Sequence, residues 1–300
     1  TSTAKQRPEG GWLWKISGNG LSHPSYLFGT YHGTYDILYQ YTDSIPELHQ
    51  AFNACSQFAG ESETTSKPTP AQVGAAIKLP KDTTYADLLN KEDFHFLDSI
   101  VRQSLKSPLN KMYIKPNFLA LILGEIEKGK KLVDTGYSQS RIDSMKSQVM
   151  DIALEKKAKE KGLTIVGLEG IFDAFVSEKS NLKKEADELI SDLREDDEIS
   201  PLSFVNTLSD VYRTQNMKSL IDFEVKVDSI FRTSPKLTEI GKRIREDLLK
   251  RRNLNWMNKI PELMKAQPTF IAVGVRHLPG KDGLIALLLE KGYQVEPIGL

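Results

Sequence analysis

The stretch on which the fold turns is Thr269-Phe270-Ile271-Ala272-Val273-Gly274-Val275-Arg276-His277. Its first five residues are apolar or β-branched, without a charge. A short run of that kind reads as an apolar strand. Gly274 then lets the backbone turn sharply and lets another group come close. A helix follows from about Asp282 to Lys291, Gly292 stops it, and Tyr293 to Ile298 reads as a last strand. This strand–helix–strand rhythm marks an α/β chain.

Three earlier segments end in the same way. Trp12 to Ile16 alternates as a strand, and turn formers fill Ser17 to Ser25. Tyr26-Leu27-Phe28 then runs into Gly29-Thr30-Tyr31-His32, completing a hairpin with a long loop. A helix from Ser44 and Pro46 to about Cys55 precedes Gln57-Phe58-Ala59, which meets Gly60-Glu61-Ser62-Glu63. The helix MDIALEKKAKEK and its stop Gly162 precede Leu163 to Val166, which meets Gly167-Leu168-Glu169. The expected architecture is a single α/β domain whose central mixed sheet is formed from both ends of the chain. Two helical blocks, about 64–149 and 171–265, are inserted between strands. Residues 1–10 form a flexible polar arm and 11–300 the domain, since no linker-like segment follows residue 20. Phe118 to Leu123 is apolar all round and reads as a buried helix. Leu182, Ala186, Leu189, Ile190 and Leu193 share one helical face.

Composition narrows the function. Forty Lys and Arg balance forty Asp and Glu, so no overall field recruits nucleic acid or an anionic membrane. One cysteine, Cys55, cannot form an internal disulfide or a cysteine-rich zinc module. It sits six residues before Glu61, where it reads as packing for that strand. No segment approaches the ~20 apolar residues of a membrane span. The chain begins with Thr1, and its polar opening TSTAKQRPEGG reads as the arm left after an export signal or lipid-anchor segment is removed. The expected location is periplasmic, lipid-anchored or secreted in a bacterial setting; a trimmed start and a cytoplasmic location fit the same residues.

The chemistry is expected at the strand ends, where open α/β sheets bind ligands. If the four strands are neighbours, they bring His32 and His277 to one edge with up to three carboxylates, Glu61, Glu63 and Glu169. Two imidazoles with one or two carboxylates can hold a divalent metal and leave positions open for water. Such a site lowers the pKa of bound water and polarises a carbonyl. Without a metal, a His/Glu pair still offers acid–base chemistry. Glu169 is either a functional carboxylate or a cap for the next helix. His23, His49 and His95 lie in a loop or on helices and read as surface residues. The basic run Lys242 to Arg252 reads as a solvated helix, except for Arg252, which shares a face with Ile244, Leu248, Trp256 and Ile260. An arginine there either snorkels along packed surface or pairs with a buried carboxylate.

Taken together, these segments resemble the TraB/GumN family, which includes the animal TIKI metalloproteases. Ser25 to His32 resembles its first GxxH motif, and Cys55 to Glu63 its strand with a functional glutamate, placed on Glu61. Leu79-Pro80 to Leu89, Lys115-Pro116 and Gly167-Leu168-Glu169 fit the middle. Arg252-Asn253 with Trp256 fits the helix before the last GxxH. Phe270 to Gly280, with Asp282-Gly283-Leu284 and Gly292-Tyr293, resembles the second GxxH and its trailing helix. Two positions depart: Cys55-Ser56 replaces a frequent Ala-Asp, and Arg276 stands where a small residue is usual. A cation at 276 would narrow the site or bind a substrate carboxylate.

The resemblance implies a metal-dependent, peptidase-like hydrolase acting on a peptide or a small ester or amide, with an Mn2+- or Co2+-type ion. It also implies distant kinship to erythromycin-esterase-like and haem-binding ChaN-like folds. His32, Glu61 and His277 are the expected metal site, the imidazoles as ligands and Glu61 as ligand or base, with Glu169 and Arg252 beside them. The alternative on the same fold is a non-catalytic protein that binds haem, a metal or a peptide.

Overall fold

A computed structural model describes residues 10–32, 46–63, 68–134, 136–140, 149–173, 182–194 and 208–299. The arm 1–9, the Ser44 helix start and the acidic run Glu195 to Glu198 lie outside the described residues. The chain divides into two compact units: one of Thr1–Ser66, Met145–Ile171 and Ser200–Leu300, the other of Lys67–Ser144 and Phe172–Ile199.

The first unit holds one six-stranded mixed sheet. Its strands are β1 (Leu13–Ser17), β2 (Ser25–Thr30), β3 (Gln57–Gly60), β4 (Thr164–Gly167), β5 (Thr269–Gly274) and β6 (Gln294–Pro297), in the order β4-β3-β5-β2-β1-β6. The four strands that end in glycine motifs are contiguous and mutually parallel, while β1 is antiparallel to both β2 and β6. Hydropathy explains this order. Every residue of β3 and β5 is buried, so these strands take central places. The more exposed β4 and β6 take the edges. Gly18, Asn19 and Gly20 adopt left-handed backbone (φ 77°, 45° and 80°) and reverse the chain between β1 and β2.

Beneath the sheet Phe58 stacks on Phe270 at 6.3 Å, and Phe52 meets Phe270 edge-on at 5.1 Å. Each such buried ring contributes roughly 1.5–3 kcal/mol relative to exposure. Closer to the strand ends, Trp12 stacks on Tyr212 at 5.3 Å, and the Tyr212 hydroxyl donates to Gly29 O at 2.7 Å. The exit of β2 is thereby pinned just before His32.

The second unit is helical, with its own core. Leu97 and Val101 of the helix Lys91–Leu105 join Leu119 and Leu123 of Pro116–Asp134 and Leu189 and Ile190 of Leu182–Arg194. The run Phe118 to Leu123 corrects its expectation: Leu121 and Ile122 are exposed. Six consecutive residues of a helix cover every face, and only some of those faces meet the core. The helical block expected at 171–265 divides between the units, the part from Ser200 onward belonging with the sheet. No helix of the described residues is long and apolar enough to cross a membrane.

The basic run of the first unit is not a uniform α-helix. The helix Pro235–Arg243 passes into a π-helix over Ile244–Lys250 and then into Arg251–Trp256. Segments of this wider helix often occur at functional sites; here one ends two residues before Arg252.

Candidate active site

Strand register assembles the site. Gly60 lies beside both Gly167 and Ala272, and Thr30 beside Gly274. The ladder continues past β3 and β4: Leu168 N–H donates to Gly60 O at 2.9 Å and Glu169 N–H to Glu61 O at 2.8 Å. Glu61 and Glu169 therefore leave the sheet side by side. From the other neighbour, Gly274 N–H donates to Glu61 Oε1 at 2.7 Å.

Each GxxH glycine makes room for the other motif. A Cβ on Gly29 would lie 2.8 Å from Val275 Cγ2, and a Cβ on Gly274 would lie 2.8 Å from His32 Nε2 and 3.2 Å from Glu61 Oε1. Neither glycine has a positive φ. Space, not backbone conformation, is what each of them supplies.

Both imidazoles turn Nε2 toward the same oxygen, Glu61 Oε1, at 3.2 Å from His32 and 3.8 Å from His277. Their Nδ1 atoms are held from behind. His277 Nδ1 lies 2.7 Å from Asn253 Oδ1, and the Asn253 amide donates to His277 O and Asp282 O at 3.2 and 2.8 Å. Two carbonyls fix the amide this way round, so Nδ1 of His277 carries the proton and Nε2 the lone pair. His32 Nδ1 lies 2.8 Å from Asp151 Oδ2, while Thr30 Oγ1 donates to Asp151 Oδ1 at 2.7 Å.

Arg252 stands at the centre. Its Nη2 reaches Glu61 Oε2 at 2.6 Å and Glu169 Oε1 at 2.5 Å, and its Nε reaches Glu169 at 3.0 and 3.2 Å. Its Nη1 is 3.3 Å from His277 Nε2, and its guanidinium lies 4.7 Å from the Trp256 ring centre. Trp256 Nε1 donates to Glu169 Oε2 at 3.1 Å, so both oxygens of that carboxylate are engaged.

The two histidines are driven apart electrostatically. Burial, joined by Arg252, His32 and Arg276, outweighs the pull of Glu61 and lowers His277 to about 3, so its ring is neutral at pH 7. Desolvation acts against charge on His32 as well. Asp151, and then Glu61, overcome it and hold this imidazole well above its ordinary value. Burial would raise Glu61, but His32, His277 and Arg252 together keep it well below the usual carboxylate range. His32 is 47% exposed and His277 only 5%, so the site meets solvent on the His32 side.

All five singled-out residues, His32, Glu61, Glu169, Arg252 and His277, thus meet at one edge. Of the two readings left open for Arg252, carboxylate pairing is the one observed, and Glu169 faces Arg252 and Trp256. Glu63 does not join them: it is 41% exposed and 3.7 Å from Lys159. Arg276 is not free to receive a substrate carboxylate, because Glu224 accepts from its Nε and Nη2 at 2.6 and 2.9 Å. His23 and His95 are exposed and His49 is half-buried. Three participants went unread: Thr30, Asp151 and the side chain of Asn253. Asp151 carried only the signal of an acidic first turn on the helix Met150–Glu160.

A divalent ion suits the donors in kind, two imidazole Nε2 atoms and one carboxylate oxygen, although each is engaged here: His32 Nε2 with Glu61 Oε1, His277 Nε2 with Arg252 Nη1, and Glu61 Oε1 with Gly274 N–H. It suits the charge as well. Glu61 and Glu169 share the Arg252 guanidinium, and Asp151 faces His32, whose pKa is held well above its ordinary value; once His32 gives up its proton to act as a ligand, the three carboxylates outnumber the one fixed cation by two. Among the described residues, no group of three or more His, Cys, Asp or Glu side chains is arranged so that it could hold a metal ion. The reason is local: Gly274 N–H and Arg252 donate to the two oxygens of Glu61. His32, His277 and Glu61 Oε1 are the groups that would hold the ion.

Neither a curated protein nor a solved structure matches the chain. The sequence profile of the TraB/PrgY/gumN family matches residues 12–297, which run from the residue before β1 to the end of β6 and include both GxxH motifs, and the chain belongs to that family.

Proposed function

We propose that the chain is a metal-dependent hydrolase of amide or ester bonds, peptidase-like, with its site at the β2, β3 and β5 ends. The observation that carries this reading is the convergence of both Nε2 atoms on Glu61 Oε1, while Asp151 and Asn253 engage the opposite ring nitrogens. That arrangement, a ring nitrogen aimed inward and its partner held from outside, is how metal-binding imidazoles are oriented. A bound divalent ion of the Mn2+ or Co2+ type supplies a water of lowered pKa and polarises the scissile carbonyl.

The protein's own groups have separable duties. His277, neutral and nearly fully buried, presents a lone pair at neutral pH. Glu61, with a strongly lowered pKa, is a weak base, which favours a role in holding charge over one in accepting a proton. Arg252 bridges Glu61 and Glu169 and holds the two carboxylates together. His32, at the solvent side, stands where a peptide or ester enters.

The test is to treat the full chain with a chelator, add Mn2+ or Co2+, and follow binding by calorimetry and cleavage of an unstructured peptide and a small ester. One ion per chain and metal-dependent cleavage are expected, and His32→Ala with His277→Ala should abolish both while preserving the circular dichroism spectrum. Unchanged metal content in the double variant overturns the proposal. Stoichiometric binding without any turnover would instead identify a non-catalytic binder on this fold.

A further inference from the structure

The carboxylate of Asp151 is unaccounted for by the strand-end motifs, yet it is the group closest to His32 on the side away from Glu61. We infer that Asp151 is a positioning residue for His32: it holds Nδ1–H and thereby aims Nε2 into the site, and Thr30 sets which Asp151 oxygen is offered. Three observations lead there. Asp151 Oδ1 is taken by the Thr30 hydroxyl at 2.7 Å. Asp151 Oδ2 is shielded from water and lacks any aligned hydrogen-bond donor. His32 Nδ1 lies 2.8 Å from it.

A buried carboxylate oxygen is costly to leave without a donor, so the pair is driven to align. The other histidine displays the same device with a neutral acceptor, Asn253 Oδ1 behind His277 Nδ1. Asp151 adds charge to that arrangement, on the histidine that faces solvent. Because Thr30 belongs to the first GxxH motif and Asp151 to the helix Met150–Glu160, the orientation of His32 depends on that helix, which packs against β3 and β4 and reaches the end of β2 through Asp151.

This inference rests on the reading of the strand-end cluster as the working site, and the experiment separates the two. Full-length chain labelled with 15N-histidine and freed of metal by a chelator should show a strongly deshielded proton on a histidine Nδ1. That signal should vanish in His32→Gln, Asp151→Asn and Asp151→Ala, and persist in His277→Gln. Circular dichroism checks that each variant folds. In parallel, Co2+ titration should show about a 10- to 100-fold loss of affinity in Asp151→Ala. Part of that loss should be recovered in Asp151→Asn, whose amide oxygen can accept as Asn253 does, and Thr30→Val should lose less than Asp151→Ala.

A deshielded proton with no Co2+ binding by the wild type leaves Asp151 in this role and refutes the metal reading. Co2+ binding that Asp151→Ala leaves unchanged, or a wild-type protein without the deshielded proton, refutes the role of Asp151.

Discussion

Arg252→Met is the perturbation whose cost follows most directly from the geometry. The side chain is 11% exposed and touches Glu61 and Glu169, themselves 16% and 10% exposed. Removing one partner of a buried pair costs about 3–5 kcal/mol, because the other charge is left uncompensated. Here two carboxylates are orphaned, and the guanidinium packing on Trp256 is lost as well, worth ~0.5–1 kcal/mol. Partial solvent access and the nearby His32 pull the other way, so about 4 kcal/mol is expected at pH 7.5. That is a large share of the roughly 5–15 kcal/mol that stabilises a typical protein.

The assay is guanidinium denaturation of chelator-treated protein, followed by tryptophan fluorescence. Arg252→Met with Glu169→Leu should be more stable than Arg252→Met alone, since one orphaned charge is gone, and the two changes should couple strongly in a double-mutant cycle. The pH dependence has a definite sign. Without Arg252 the folded-state pKa of Glu61 rises; a raised carboxyl pKa destabilises at high pH and less as pH falls toward it. The deficit should therefore shrink as pH falls from 7.5 toward the carboxylate range. A cost below ~1 kcal/mol at pH 7.5, or a double variant less stable than the single one, refutes the account of Arg252 as the counterion of this cluster.

Two other predictions address the motifs themselves. Gly274 has φ −51° and ψ 134°, open to alanine, so Gly274→Ala should change thermal stability by only a few degrees. Its Cβ would displace His32 Nε2, and divalent-ion affinity should fall at least ~10-fold; calorimetry showing wild-type affinity would remove the spatial argument for this glycine. His277, at about 3 when folded against 6.5 as a free side chain, stabilises the protein fully above pH 6.5. That contribution is lost as pH falls, by roughly 1.4 kcal/mol per unit. Between pH 7.5 and 5 the wild type should thus lose about 2 kcal/mol more than His277→Asn in metal-free denaturation, and parallel losses would contradict a neutral buried ring.

The strands themselves were legible because strand character follows from local composition, while their adjacency entered only as a condition. Gln57 to Gly60 and Thr269 to Gly274 are apolar enough to demand a central place, and both are fully buried. The limit of such reading shows in Phe118 to Leu123, where apolar character alone did not say which helical faces would find a core. It shows again in Asp151, whose hydrogen bond to Thr30 spans 121 positions. Nothing near Asp151 distinguishes a group aimed at an imidazole from an ordinary acid in a first helical turn. Arg252 lies between these cases. Its apolar neighbours at four-residue spacing marked it as inward-facing, but the carboxylates it meets come from β3 and β4, known only once those strands are adjacent.

The reciprocal glycines explain why two separated motifs behave as one. In strands β2 and β5, parallel and in register, the residue after Gly29 pairs with Gly274 itself. Any side chain on Gly274 would occupy the volume of His32, and any on Gly29 would push away the turn that carries His277. The first motif is thus sterically possible only with glycine in the second, and the second only with glycine in the first. Neither constraint comes from backbone dihedrals, so neither could be relieved by a local change of turn. A single substitution at either glycine should then be rescued only by a compensating loss of volume in the other motif. Gly29→Ala with Val275→Ala is the specific pair, because Val275 Cγ2 is the atom a new Cβ would meet first. Gly29→Ala alone should lower the denaturation midpoint, and the pair should regain part of that loss. A pair that is strictly additive would show that the two motifs are not packed against each other as described.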